Sequence, residues 1–257
     1  MRSPLGRTVA LLLTLALSPA LAVAAPAGRV THRALWRLDF FDDFRKGLRP
    51  NVWGAYSGEP GGDPGGWWSP SHVVVARGLL DLETYPDPQF GWRWVSGGVS
   101  SGPSLKQTYG KYQVRIRVDG GKGVAFAALL WPANNKWPPE IDFAESGGGT
   151  GARNQISAFF HHGAKDDQIG RTLRVDFTKW HVVGVEWLPG ELIYTIDGRA
   201  WSVIKSRAVP AEPMEMDIQT QAGTCGNRWQ PCPGNQTPTY VNAQIQWVKV
   251  YAYLGPR

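Results

Sequence analysis

Glu140, Asp142 and Glu145 fall inside the run Trp137-Pro138-Pro139-Glu140-Ile141-Asp142-Phe143-Ala144-Glu145-Ser146, with a proline pair before the acids and Gly147-Gly148-Gly149 after the run. An apolar stretch held between turn-formers reads as a short strand. Side chains alternate faces along a strand, so Glu140 and Asp142 share one face while Ile141 and Phe143 share the other. Glu145 is out of phase by one. A single β-bulge at Phe143–Ala144 would return it to the face of the other two acids, and bulges re-aim side chains in this way beside active sites. The backbones of Glu140 and Glu145 would then lie about 13 Å apart. Two glutamates leaning inward would bring their carboxyls to about 5–6 Å, a spacing that suits one carboxylate attacking an acetal carbon while the other protonates the leaving oxygen. Three carboxylates on one face repel, which raises at least one pKa, as a general acid working near neutral pH requires. Asp142, about 7 Å from Glu140 along the strand, is placed to hydrogen-bond Glu140 and fix its orientation. Two blander readings compete, a solvated acidic edge and a calcium site. The Trp, Pro, Ile and Phe neighbours oppose the first, and the lack of Asp/Asn/Gly loop chemistry opposes the second.

The elements that must position these acids are strands. Strand-like runs recur at 73–75, 79–83, 112–118, 124–131, 155–161, 172–176, 181–187, 192–196, 214–221 and 241–253, punctuated by Gly and Pro. No helix-period segment or internal repeat competes with them. Two packed antiparallel sheets are the expected architecture. The Gly/Pro-rich segment Ser57–Ser69 reads as a long surface loop ending in Trp67-Trp68, a pair that suits either a sugar platform or a seal over the core edge.

Composition narrows the function classes. Arg2 and Arg7 precede the apolar run Val9–Leu17, and Ala22-Val23-Ala24 suits a signal peptidase. Residues 1–25 therefore read as a secretory signal and 26–257 as one domain, with a secreted, extracellular product. No stretch reaches the roughly 20 apolar residues of a membrane helix. Losing Arg2 and Arg7 takes the net charge from +6 to +4. The remaining basic residues are scattered, which argues against a nucleic-acid partner. Cys225 and Cys232, the only cysteines, are expected to pair in an exported chain, adding about 2–3 kcal/mol on chain-entropy grounds. Metal ligation would need more ligands than their loop offers.

Thirteen Trp in one domain is a second signal, because flat apolar rings suit the C–H faces of sugars while the indole N–H stays free to hydrogen-bond. Trp137, three residues before the first acid, is the foremost cleft candidate. Trp131 at a strand end joins it, as do Trp92 and Trp94, which alternate onto one face. Trp53, Trp180, Trp187 and Trp247 read as core. Gln219 and Gln221 share a strand face from which amides could reach sugar hydroxyls.

Glu-Ile-Asp-Phe-Ala-Glu resembles the bulged Glu-x-Asp-x-x-Glu signature of glycoside hydrolase family 16, in the form shared by laminarinases, agarases and carrageenases. Asp42-Asp43-Phe44, Tyr109-Gly110-Lys111-Tyr112, Asp176-Phe177-Thr178-Lys179-Trp180-His181, Val185-Glu186-Trp187, Ile196-Asp197-Gly198 and Trp247-Val248-Lys249-Val250-Tyr251 match in order. The resemblance implies an all-β jelly-roll sandwich of the concanavalin A-like kind with a concave cleft. It further implies a monomeric retaining endo-glycosidase acting on a polysaccharide, of the β-1,3-glucanase branch. Glu140 would be the nucleophile, Glu145 the acid/base and Asp142 the orienting residue, with no cofactor. His161 matches a His placed near the acid/base; its plain alternative is a satisfied strand histidine. The sequence departs from the family at Pro139, where a Gly is common, and at Leu129, where a Trp is common. Gln246 stands where the closing strand commonly carries an Asp that binds structural calcium, and a neutral amide is the poorer ligand for a hard cation. A transglycosylase, a galactan-active hydrolase and a non-catalytic carbohydrate-binding jelly roll are the alternatives.

Overall fold

A computed structural model describes residues 34–60, 65–222 and 230–256. The expected signal at 1–25 lies outside these residues, as does Cys225 of the expected Cys225–Cys232 pair. The chain runs through β1 (Ala34–Asp42), β2 (Gly54–Ala55), β3 (Val73–Ala76), β4 (Leu79–Asp87), β5 (Arg93–Val95) and β6 (Gly98–Ser100). It continues through β7 (Gly110–Val118), β8 (Val124–Pro132), β9 (Glu140–Ser146), β10 (Gln155–His162) and β11 (Asp167–Arg174). The later strands are β12 (His181–Leu188), β13 (Glu191–Ile196), β14 (Arg199–Lys205), β15 (Met214–Ala222) and β16 (Val241–Pro256). Among the described residues the helical turns are two short 3-10 segments, Pro70–His72 and Pro88–Phe90, and no helix is long and apolar enough to cross a membrane.

The strands form a sandwich of two antiparallel sheets, the expected jelly roll. One sheet runs β14-β13-β12-β7-β16-β4-β3, with β1 on β16 and β5 on β4; the other runs β11-β10-β9-β8-β15-β6-β2. Sequence patterning decides which faces meet. In β7, Tyr112, Val114, Ile116 and Val118 are buried while Lys111, Gln113, Arg115 and Arg117 alternate outward, the period-2 pattern of a strand covered on one face. β8 is apolar almost throughout and buried on both faces. Phe126, Ala128 and Leu130 enter the core, and Ala125, Ala127 and Leu129 face the other way with 5–8 % exposure. That second face is the floor of a groove.

Two expectations change. β1, β2, β5, β6 and β14 have no counterpart among the expected runs; β1 is hidden in sequence by its exposed Leu38 and Phe41, which break the alternation. Trp53 and Trp187 are core residues, but Trp180 and Trp247 are half-buried on the outward face. Arg115 and Arg117 lie over the Trp180 ring, and Lys249 over Trp247. Asp42 of the Asp-Asp-Phe motif is structural, accepting hydrogen bonds from Trp53 Nε1 at 2.9 Å and Arg49 Nη2 at 3.0 Å.

Candidate active site

The acids sit on β9, in the interior of the seven-stranded sheet, and the expected bulge is present. On the β8 side Ala128 pairs with Ala144 and Leu129 with Asp142, leaving Phe143 as an extra residue. The β10 side shows the same shift, with Ser157 opposite Glu145 and Phe159 opposite Asp142. Phe143 and Ala144 both enter the core, so the alternation skips one step. Residues directly opposite in an antiparallel pair share a face. Glu145 lies opposite Ala127 and Asp142 opposite Leu129, both on the face away from the core, so the three acids face the groove together.

The groove widens on either side of β9. A cavity of about 770 Å³ is lined by Glu140, Trp131, Trp137, Leu129, Trp68 and Tyr56, and across its floor by Glu215, Asp217, Gln219 and Gln221 of β15. A smaller one of about 190 Å³ is lined by Glu145, the glycine turn at 147–149, Arg153 and Ser157. The glycines let this turn lie close on the backbone of β8: Gly148 has φ +77°, and a Cβ there would sit 2.3 Å from Val124 O. Arg153, 2 % exposed, ties the turn to the strand end. Its guanidinium donates to Val124 O at 2.6 Å, Asp119 O at 3.0 Å and Ser146 Oγ at 2.9 Å, and burial lowers its pKa to about 10.

Burial dominates the electrostatics of Glu140 and Asp142. It pushes Glu140 up to about 9, reinforced by the charge of Asp142 and opposed by the Trp137 hydrogen bond. Trp137 Nε1 donates to Glu140 Oε2 at 2.7 Å. Burial also raises Asp142, with the charge of Glu145 adding to it. His161 Nε2 lies 3.3 Å from Asp142 Oδ2, and atoms of Glu140, Asp142 and His161 approach within 4.8 Å of one another. Glu140 and Asp142 therefore hold fewer charges than two, and a proton shared between them leaves one as a carboxylate and the other as its hydrogen-bond donor. Asp217, on the opposite side of the groove, is raised to about 7 by burial despite hydrogen bonds from Tyr56 and Ser100.

Of the candidate binding residues, Trp131, Trp137 and Gln219 line the larger cavity, and His161 stands beside Asp142. Trp131 Nε1 donates to Asn135 Oδ1 at 3.0 Å, and Gln219 Nε2 to Gln221 Oε1 at 3.5 Å. Trp92 and Trp94 are not among the lining residues. Trp92 precedes β5 with φ +65°, so the alternation that paired it with Trp94 does not apply, and β5 pairs with β4 of the other sheet. The Trp67-Trp68 pair divides its roles: Trp68 lines the groove, packing on Tyr56 at 4.8 Å, while Trp67 packs under Arg93. Sequence reasoning missed Glu215 and Asp217, although they continue toward the N-terminus the same alternating row as Gln219 and Gln221. Tyr56 and Asp166 had no such signal, because each reaches the site from a loop whose path only the fold determines.

The chain is similar to proteins of known activity. EglC, an endo-1,3-1,4-beta-glycanase of Rhizobium meliloti (strain 1021), is 25 % identical over 225 residues, covering 74 % of this chain and 47 % of its own. ExsH, an endo-1,3-1,4-beta-glycanase of the same organism, is 29 % identical over 187 residues, covering 69 % and 39 %. The chain thus spans less than half the length of these curated relatives. Two solved structures share the fold. The laminarinase catalytic domain from Thermotoga maritima MSB8 superposes with a TM-score of 0.74 at 21 % identity, over 86 % of this chain and 99 % of that one. The endo-beta-1,3-glucanase from Pyrococcus furiosus does so with 0.75 at 21 %, over 87 % and 99 %. The sequence profile of glycosyl hydrolases family 16 matches residues 66–249. That match takes in β9 with all three acids and more than half of the chain, so the chain belongs to glycosyl hydrolases family 16.

Proposed function

We propose that this protein is an exported retaining endo-glucanase that cleaves β-1,3- or mixed β-1,3-1,4-linked glucan by double displacement. The observation that carries the reading is the bulge at Phe143, which brings Glu140, Asp142 and Glu145 to one face of an open groove. Glu140, as carboxylate, attacks the anomeric carbon while Glu145 gives its proton to the departing glycosidic oxygen. Glu145 then takes a proton from water, which attacks the same carbon and expels Glu140. For attack the proton of the pair passes from Glu140, which holds it at rest, to Asp142, whose hydrogen bond then keeps Glu140 oriented as its charge is consumed.

The groove supports an uncharged substrate. Among the described residues, the charged lining of the larger cavity consists of Glu59, Glu140, Glu215 and Asp217, with no Lys or Arg, although the chain as a whole carries +6. A sulfated or uronate chain would meet like charge along this surface. Trp68, Trp131 and Trp137 offer ring faces for pyranose C–H groups. The test is release of reducing ends from laminarin, mixed-linkage glucan, agarose and arabinogalactan, with the anomer of the first product followed by NMR. β-product from a glucan is the expected result. An α-product would overturn the retaining mechanism, and binding of these polymers without cleavage would leave a carbohydrate-binding domain.

Trp137→Phe separates the indole N–H from the ring. Losing a hydrogen bond to a charged acceptor costs about 1.5 kcal/mol or more, so kcat/KM is expected to fall about tenfold or more. Its acid limb is expected to move to higher pH, because the bond that favours ionised Glu140 is gone.

A further inference from the structure

The turn between β10 and β11 brings a fourth carboxylate to the acids. Asp166 sits at that turn with φ +56°, and its backbone N–H donates to Gly163 O at 3.2 Å. Its Oδ1 lies 2.7 Å from His161 Nδ1, and its Oδ2 accepts from Gln168 Nε2 at 2.6 Å. Burial works to raise Asp166, but the hydrogen bonds from Gln168 and His161 outweigh it and hold the carboxyl below the usual range. An ionised carboxylate only accepts. Nδ1 of His161 therefore carries the hydrogen, and the ring nitrogen left with a choice is Nε2, the one facing Asp142.

We infer that Asp166 is a positioning residue for the glycosidase reaction, locking His161 with Nδ1–H on its own carboxylate so that Nε2 exchanges a proton with Asp142 as the charge on Glu140 comes and goes. This rests on the retaining reading above. Before attack, Glu140 must be ionised, and Asp142 holds the proton that the pair shares. When Glu140 becomes an ester of the sugar its charge disappears, and Asp142 no longer has an anion to donate to. Nε2 of a ring fixed by Asp166 can accept that proton and return it as Glu140 is released. No atom or electron is gained or lost overall. The charged and titratable groups around the ring are Glu140 and Asp142 from β9 and Asp166 from the turn, while neighbouring His162 acts on Asp166. Trp137 and Phe159 pack on the ring at 5.9 and 6.3 Å without charge.

Asp166→Asn and Asp166→Ala separate charge from geometry. Asn accepts the Nδ1 hydrogen at Oδ1 and tolerates a left-handed backbone, while its NH2 meets Gln168, whose amide must turn over to accept from it; the substitution thus removes the charge and keeps the bond to His161. Asp166→Asn is expected to lower kcat about tenfold with little change in KM. The charge of Asp166 raises Asp142, so without it the pair holds its protons less tightly and the acid limb of kcat/KM is expected to move down by about 0.5–1 pH unit. Asp166→Ala is expected to lose more activity. Ring ¹⁵N shifts of His161, assigned with a His161→Gln control, report the tautomer without any turnover: Nδ1–H is expected in the wild type, and a mixture in Asp166→Ala. A wild-type pH profile and kcat in Asp166→Asn, or an unchanged tautomer in Asp166→Ala, would overturn the assignment. If the wild type cleaves no glucan, the hydrolase reading fails instead, and the ¹⁵N experiment still decides the role of Asp166.

Discussion

Glu140→Gln is expected to lower kcat by about 10⁴-fold or more, since removing a covalent nucleophile disables a mechanism whose parts act as one unit. The same change is expected to stabilise the fold at neutral pH. The native pKa of Glu140, about 9, lies above the unfolded value. The unfolded chain therefore ionises first as pH rises, and stability present below about pH 4.5 drains away up to about pH 9. Glutamine has no charge to bury and its carbonyl oxygen still accepts from Trp137. Its advantage should be absent at pH 4 and grow above it, each kcal/mol being worth about 2–4 °C in a domain of this size. Glu145→Gln should behave differently. It is expected to lose about 10²–10⁴-fold on a polysaccharide, the range of general acid–base catalysis, but much less in the first step on an aryl glycoside whose leaving group needs no proton. Calorimetry at two pH values and burst kinetics on both substrates would check this. A Glu140→Gln enzyme keeping more than a few per cent of activity would remove Glu140 from the nucleophile's role.

The second large effect is expected at Arg153, which touches no substrate in the mechanism proposed. Arg153→Met keeps most of the side-chain volume but leaves the carbonyls of Val124 and Asp119 and the hydroxyl of Ser146 without their donor. Each unsatisfied buried acceptor costs about 1–3 kcal/mol, so a loss of roughly 3–5 kcal/mol is expected, or about 10 °C in Tm. Arg153→Lys should recover little, because one ammonium cannot reach several carbonyls with the fixed fork of a guanidinium. Urea midpoints of the two variants would show it. Because Ser146 follows Glu145 directly, kcat at a temperature where the variant stays folded should also fall; an unchanged kcat would mean that the bulge alone positions Glu145.

The acid triad was legible because its evidence is local: three carboxylates, a known strand period and one permitted irregularity determine the face they share. The β7 alternation and the apolar β8 were readable for the same reason. Trp92 and Trp94 do not alternate as expected, because a left-handed residue before β5 cancels the alternation, and no pattern in the neighbouring residues signals it. Trp180 and Trp247 look like core in a one-dimensional reading, yet arginine and lysine stems cover them on the outward face. Tyr56, Glu59 and Asp166 reach the groove through loops, where side-chain position depends on the neighbouring strands. Glu215 and Asp217 show the opposite case, a row half recognised through its amides and extendable by two residues with the rule already in use.

The placement of β16 governs the order in which the molecule can assemble. Residues 241–256 pair with β4, β7 and β1, segments separated from them by more than a hundred residues, so the nine-stranded sheet stays open until this last piece has been synthesised. Such distant pairing is slow to find. In the interval β4 and β7 present bare edges to any passing chain, and yields in a heterologous host should depend more on how well those edges are shielded than on the stability of the finished protein.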